Sequence, residues 1–77
     1  METTILFFGQ LVDITGSSSR QVRDITDTDT LREQLQHDYP DLKNAKYLVA
    51  VDKNVITKNT RLTAGDVVAL LPPFSGG

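Results

Sequence analysis

One long helical pattern lies in the middle of a chain whose other apolar segments are mostly typical of β-strands. Leu31, Leu35 and Tyr39 recur every four residues and form an apolar stripe along one side of a helix. Pro40 ends this helix because proline cannot continue the hydrogen-bond ladder. One helix of this length covers only one face of a small sheet, so the pattern predicts a sheet with a helix on one side.

The start of the helix has two candidates in the sequence. Asp27 can cap the N-terminus, with Asp29 in the first turn, where the helix dipole favours an acidic residue. Residues 30–33, Thr-Leu-Arg-Glu, offer a competing capping box. The sequence leaves both starting points open.

Five segments are rich in β-branched and aromatic residues, and each is bounded by glycine, proline or polar residues. The first and third of them are apolar at successive positions, which predicts burial on both faces. The second is more polar and predicts a solvent-exposed edge strand. The predicted strands are Thr3–Gly9, Arg20–Ile25, Tyr47–Val51, Val55–Thr57 and Val67–Leu71; Gln10–Thr15 predicts one helical turn, and Asp41–Lys46 a polar connection.

The element order is therefore β-β-α-β-β-β. The first and last strands are the most apolar, so we expect them to lie side by side and parallel in the centre of a mixed five-stranded sheet. A sheet of this kind packed on one main helix is the α+β arrangement called the ubiquitin-like β-grasp. We expect one such domain over residues 1–77, with residues 72–77 as a protruding C-terminal tail.

Composition narrows the possible functions. Eight basic and ten acidic residues give a formal charge of −2, which does not favour binding to nucleic acid or to an anionic membrane. The absence of cysteine excludes disulfides, thiol catalysis and a thiolate metal site. The N-terminus lacks a signal-peptide pattern, and no apolar run approaches the roughly 18 residues that span a bilayer. These features predict a cytoplasmic protein.

The body of the chain has no pattern typical of an active site. His37, the only histidine, lies off the apolar stripe of the helix and is predicted to be a solvated helix residue. No pair of acidic residues has a recognisable catalytic spacing, and we predict no metal site. Candidate chemistry is therefore limited to the C-terminal segment.

The last eleven residues, Val67–Gly77, contain no charged side chain, although 23% of the residues of the whole chain are charged. Part of this segment is the predicted central strand. The rest ends in Gly76-Gly77, which could enter a narrow channel in a partner because glycine has no side chain. We predict the carboxylate of Gly77 as the reactive group, with Ser75 and Gly76 as its tail. The predicted partner-binding residues are Leu70, Leu71, Pro72, Pro73 and Phe74.

Residues 64–77, AGDVVALLPPFSGG, resemble the ending of the small subunits of molybdopterin synthase, which are ubiquitin-like sulfur carriers. Residues 5–9, ILFFG, and residues 48–52, LVAVD, match this family as well. The most specific part is the combination of the Gly-Asp turn, the apolar strand, Pro-Pro and the terminal Gly-Gly. Departures occur at residues 11–13, at Asp52 and at Phe74, and none affects the terminal glycines.

This resemblance implies a mechanism. A ubiquitin-activating-like adenylyltransferase would use ATP and Mg²⁺ to adenylate Gly77, and a persulfide donor would then supply sulfur to form a terminal thiocarboxylate. The large subunit of the synthase, in a heterotetramer with the small one, would transfer this sulfur to precursor Z, cyclic pyranopterin monophosphate. The chain itself would bind no cofactor and supply no catalytic side chain.

Three other functions stay open at this point. The chain could be a sulfur carrier of the same fold that serves thiamin, tRNA thiolation or cysteine synthesis, although Pro72-Pro73 favours the molybdenum branch. It could be a ubiquitin-like modifier that forms isopeptide bonds. It could also be a β-grasp interaction module whose terminal Gly-Gly is incidental.

Overall fold

The computed structural model describes residues 1–73 of the chain. Within them the chain alternates short strands and helices, and α2 is the main helix. The elements in chain order are β1 (Glu2–Phe7), α1 (Leu11–Thr15), β2 (Ser19–Arg23), α2 (Thr28–Asp38), a 3-10 helix (Pro40–Asn44), β3 (Leu48–Val51), β4 (Asn54–Ile56) and β5 (Val67–Leu71).

The five strands form one sheet in the order β2-β1-β5-β3-β4. β1 and β5 are parallel in its centre, with Ile5 beside Val68 and Phe7 beside Leu70. The other neighbouring strands are antiparallel. The predicted mixed sheet, its parallel central pair and the edge position of the second strand are all confirmed.

The core lies between one face of the sheet and the helices. Side chains alternate between the two faces of a strand, and the register places every second residue of β1 and β5 on the helix side. Ile5, Val68 and Leu70 are fully buried there, together with Leu31 and Leu35 of α2. Two further buried residues come from outside the predicted elements, Leu42 and Leu62.

The prediction of burial on both faces is wrong for the first strand. For the third strand it holds at Ala50, which is 4% exposed on the face opposite α2, but not at Leu48. On the face opposite α2, Leu6 is only half-buried, and Phe8 and Leu48 are 44% and 38% exposed. The described chain supplies helices to one side of the sheet alone. A continuous apolar run here marks one face that packs in the core and a second face that stays accessible.

The helix α2 begins after Asp27, which confirms this residue as the N-cap position. The cap hydrogen bond comes from elsewhere in the chain: the backbone N–H of Asp29 donates to Oδ1 of Asn59 at 2.9 Å. Thr28 Oγ1, beside it, accepts from the backbone N–H of Thr60, also at 2.9 Å. The loop before β5 is thereby fixed to the start of the helix.

Two local predictions need correction. The predicted polar connection over residues 41–46 is in part a 3-10 helix, which begins at Pro40 and buries Leu42. The second strand ends at Arg23 rather than Ile25, because Asp24 has a φ of 58° and turns the chain away from the sheet.

An ion pair links the edge strand β2 to the end of α2. Nη1 of Arg20 lies 2.6 Å from Oδ2 of Asp38, and the guanidinium carbon lies 5.6 Å from the ring centre of Tyr39. Gln34 also donates a hydrogen bond to Oδ2 of Asp38 at 3.0 Å. The hydrogen bonds from Gln34, Arg20 and His37 lower the pKa of Asp38 to about 2.

This lowered pKa predicts a pH dependence of folding stability. The ionised form of Asp38 stabilises the fold above the unfolded-state pKa of about 3.9, and this contribution is lost as the pH falls toward about 2. Asp38→Asn has no ionisable carboxyl at this position, so its stability does not include this pH-dependent contribution. The urea midpoint of this variant should therefore fall less than that of the wild type between about pH 5 and pH 2. Asp41→Asn, at an exposed position in the 3-10 helix, is the matched control. Parallel curves for the wild type and Asp38→Asn would contradict the assignment.

Candidate functional site

The predicted site residues lie at and beyond the end of β5. Leu71 is the last residue of the strand and is half-buried, Pro72 is half-buried, and Pro73 is exposed. The predicted site residues Phe74, Ser75, Gly76 and Gly77 lie outside the described residues. The site can therefore be built up to the point where the chain leaves the sheet.

Leu70 does not belong to an accessible surface. Its side chain is fully buried on the helix side of the sheet, where it lies beside Phe7. Leu71, the next residue, faces the opposite side because side chains alternate along a strand. The prediction that Leu70 binds a partner is thus corrected: its role is packing, and only its neighbour is placed for contact.

The face of the sheet opposite α2 is a continuous apolar surface, which we call the open face. Residues of β1, β3, β4 and β5 line a shallow groove of about 490 Å³ on it. The most exposed of its apolar side chains are Val55 and Phe8, at 54% and 44%. The apolar residues of the open face are Leu6, Phe8, Ala50, Val55, Val67, Ala69 and Leu71.

Charged side chains border the open face at one end. Asp52 and Lys53 form the turn between β3 and β4, both with positive φ, and both line the groove. An apolar centre with a polar border is typical of a protein-binding surface. The sequence pattern that could have predicted this surface is the apolar run at successive positions, which by itself does not distinguish burial on both faces from one accessible face.

A set of hydrogen bonds fixes the entry into β5. Asp66 accepts from the backbone N–H of Thr63 at 2.8 Å and from its hydroxyl at 3.1 Å. The pKa of Asp66 is lowered, chiefly by this backbone hydrogen bond. Oδ1 of Asp52 accepts from the backbone N–H of Val67 at 2.9 Å. The turn before β5 and the turn after β3 are thereby joined, so β5 starts from a defined position.

His37 takes no part in this surface. Its side chain is 86% exposed on α2, on the far side of the sheet, which confirms the prediction of a solvated helix residue. Within residues 1–73, no group of three or more histidine, cysteine, aspartate or glutamate side chains could hold a metal ion. Over the same residues, no helix has the length and apolar character needed to cross a membrane.

The order of the strands and the single main helix define the ubiquitin-like β-grasp fold. Residues 5–77 match the model of the ThiS family. The chain belongs to the ThiS family, and this match includes the whole open face, β5 and Gly77.

Two relatives are similar over almost their whole length, and both are molybdopterin synthase sulfur carrier subunits. The one from Escherichia coli is 31% identical and covers 95% of this chain and 96% of its own. The one from Mycobacterium tuberculosis is 32% identical and covers 100% of this chain and 99% of its own.

A solved structure is similar as well. It is the protein–protein complex of subunits 1 and 2 of molybdopterin-converting factor from Helicobacter pylori. The matching chain is 29% identical, with a TM-score of 0.76 and complete coverage of both chains. The predicted resemblance to the small subunits of molybdopterin synthase is confirmed.

Proposed function

We propose that this chain is a sulfur carrier and acts as the small subunit of a molybdopterin synthase. The observation that carries the proposal is the similarity to two sulfur carrier subunits over nearly the whole of each chain. The family match that extends through Gly77 supports a functional role for the C-terminal glycines. The open face adds a surface that a subunit partner can bury.

The proposed chemistry takes place at the carboxylate of Gly77. A carboxylate is a poor acyl donor, because its charge repels nucleophiles and oxide is a poor leaving group. An activating enzyme would join the carboxylate to the α-phosphate of ATP, with Mg²⁺ and release of pyrophosphate. A persulfide sulfur would then attack the acyl carbon and displace AMP. Cleavage of the resulting S–S bond by a thiol would leave the thiocarboxylate on Gly77.

The proposed partner is the large subunit of the synthase. It would accept the C-terminal tail and transfer sulfur from the thiocarboxylate to cyclic pyranopterin monophosphate. The similar Helicobacter pylori chain comes from a complex of two subunits, which supports an assembly of this kind. A dithiolene contains two sulfurs, so a carrier must be recharged or exchanged between the two transfers.

We propose that the open face contacts the large subunit. Phe8 and Val55 are large apolar side chains that remain about half exposed in the isolated chain. Leu71 extends this surface to the start of the tail, so a partner that covers the open face would also be close to Pro72 and Pro73. Burial of aromatic and aliphatic side chains is the main favourable term in such contacts.

The alternative functions that the sequence leaves open differ in the partner that they predict. A carrier for thiamin, tRNA thiolation or cysteine synthesis would also receive sulfur on Gly77, but would deliver it to another enzyme. A ubiquitin-like modifier would form isopeptide bonds with lysine side chains. The two curated relatives favour the molybdopterin branch.

One prediction of the proposed function concerns the carboxylate of Gly77. Incubation with ATP, Mg²⁺, the activating enzyme and a sulfur donor should raise the intact mass by the replacement of one oxygen with sulfur. Fragmentation should place the change on Gly77. A variant that lacks Gly77 should unfold at the same urea concentration as the wild type, because glycine has no side chain to bury, and should gain no sulfur. Sulfur elsewhere in the chain, or lysine-linked conjugates instead, would contradict the proposal.

Another prediction of the proposed function concerns the open face. Phe8→Glu places a charge at an exposed apolar position and should weaken binding to the large subunit by about tenfold or more, because interface aromatics carry much of the binding free energy. Thr30→Glu adds the same charge on the exposed side of α2 and is the matched control. Calorimetry with the purified large subunit measures the affinity of each variant.

Phe74→Glu tests the part of the predicted contact that lies outside the described residues. It should also weaken binding to the large subunit. Equal affinities for Phe8→Glu, Thr30→Glu and the wild type would contradict a role for the open face. An unchanged affinity for Phe74→Glu would remove only this residue from the predicted contact.

A further inference from the structure

Gly9 occupies a position in which a side chain would collide with the start of the tail. Its φ is +59°, and a Cβ built on its backbone would lie 2.7 Å from Cγ of Pro72. Real Cβ atoms essentially never approach another heavy atom so closely. Gly16 and Gly65 also have positive φ, at 74° and 85°, but a Cβ there would meet no atom within 4 Å. Among the glycines of residues 1–73, contact with the tail is thus specific to Gly9.

The backbone around Gly9 is held in place by hydrogen bonds. The N–H of Phe8 donates to the carbonyl of Leu70 at 3.1 Å, which extends the pairing of β1 with β5 by one residue. The N–H groups of Leu11 and Val12 donate to the carbonyls of Phe8 and Gly9, both at 3.2 Å. Leu11 is fully buried and anchors α1 in the core. The collision between a Cβ on Gly9 and Pro72 would therefore be relieved more readily by movement of Pro72 than by movement of the turn.

The position of Pro72 controls the direction in which the chain continues. Pro73 follows it directly, and the ring of each proline fixes φ near −65°. Proline also restricts the residue before it, so Leu71 and Pro72 have little freedom to compensate. A displacement at Pro72 is thus carried into the residues that follow it.

We propose that Gly9 is a positioning residue for the sulfur-carrying terminus. Its missing side chain lets Pro72 pack against the turn between β1 and α1, and this contact sets the direction in which the chain leaves the sheet. The inference rests on the proposed function, because the direction matters only if a partner enzyme must receive Gly77. It adds a role for a residue far from Gly77 in the sequence.

The test compares Gly9→Ala with Gly16→Ala. Both variants place a Cβ on a left-handed backbone and share that strain, but only Gly9→Ala meets Pro72. The activating enzyme is assayed by ATP–pyrophosphate exchange with each carrier. Gly9→Ala should lower kcat about tenfold, because small errors of position at the reacting group have large effects on rate. Its KM should change less than about twofold, since misplacement of the reacting group acts on kcat and the exposed side chains of the carrier stay the same. Gly16→Ala should match the wild type in both.

A double variant separates the collision with Pro72 from the strain of the left-handed backbone at Gly9. Pro72→Ala removes the Cγ and Cδ atoms, which a Cβ on Gly9 would approach to 2.7 Å and 3.6 Å. Gly9→Ala combined with Pro72→Ala should therefore have a kcat within about twofold of Pro72→Ala alone. An effect of Gly9→Ala that comes from the strain of its left-handed backbone would be retained in the double variant.

A readout without any enzyme completes the test. In ¹H–¹⁵N spectra, Gly9→Ala should shift the amide signals of Leu71 and Phe74 more than Gly16→Ala does, and Pro72→Ala should remove that difference. Equal shifts in the two glycine variants would overturn the positioning role, whatever the exchange assay gives. Absence of exchange with the wild type would instead overturn the proposed function, and the spectra would still decide the role of Gly9.

Discussion

The parallel pairing of β1 with β5 is the contact on which the rest of the structure depends. Ile5 lies beside Val68 and Phe7 beside Leu70, and Ile5, Val68 and Leu70 are fully buried against α2. Parallel strands end at the same edge of a sheet, so the turn after β1 and the exit from β5 meet there. The hydrogen bond from Phe8 to Leu70 and the packing of Pro72 on Gly9 both follow from this register.

β5 combines two roles because its residues alternate between the faces of the sheet. Val68 and Leu70 build the core, while Val67, Ala69 and Leu71 contribute to the open face. The strand that stabilises the domain is therefore also part of the surface proposed for the partner. It leads directly into Pro72 and Pro73, so a partner on the open face is close to the segment that carries Gly77. In the proposed function the folded domain binds the partner and directs the C-terminal segment toward it, and the carboxylate of Gly77 undergoes the reaction.

Much of the fold could be predicted from the sequence because its signals are local. The Leu31, Leu35 and Tyr39 stripe and Pro40 predicted α2, and the apolar runs predicted β1, β3 and β5. Asn59 as the helix cap could not be predicted, since it lies 30 residues from Asp29 and meets it only in the folded chain. Leu42 and Leu62 were missed as core residues because each is an isolated apolar residue among polar neighbours.

The candidate site could be predicted less completely than the fold, because it depends on strand pairing between distant parts of the chain. The uncharged C-terminal segment predicted where the site lies, but Leu70 and Leu71 cannot be told apart until the register assigns each to a face. Phe8 and Val55 join Leu71 on the open face only through strand pairing. The contact between Gly9 and Pro72 joins residues from the two ends of the chain, and no local pattern records it.

The most direct test of the sulfur-carrier account is a single-turnover transfer experiment. The carrier is charged with radioactive sulfur at Gly77, freed of the activating enzyme and mixed with the large subunit and cyclic pyranopterin monophosphate. The account predicts that the label leaves the protein and appears in the dithiolene of the pterin product, in proportion to the carrier consumed. Formation of product while the label stays on the protein would contradict it.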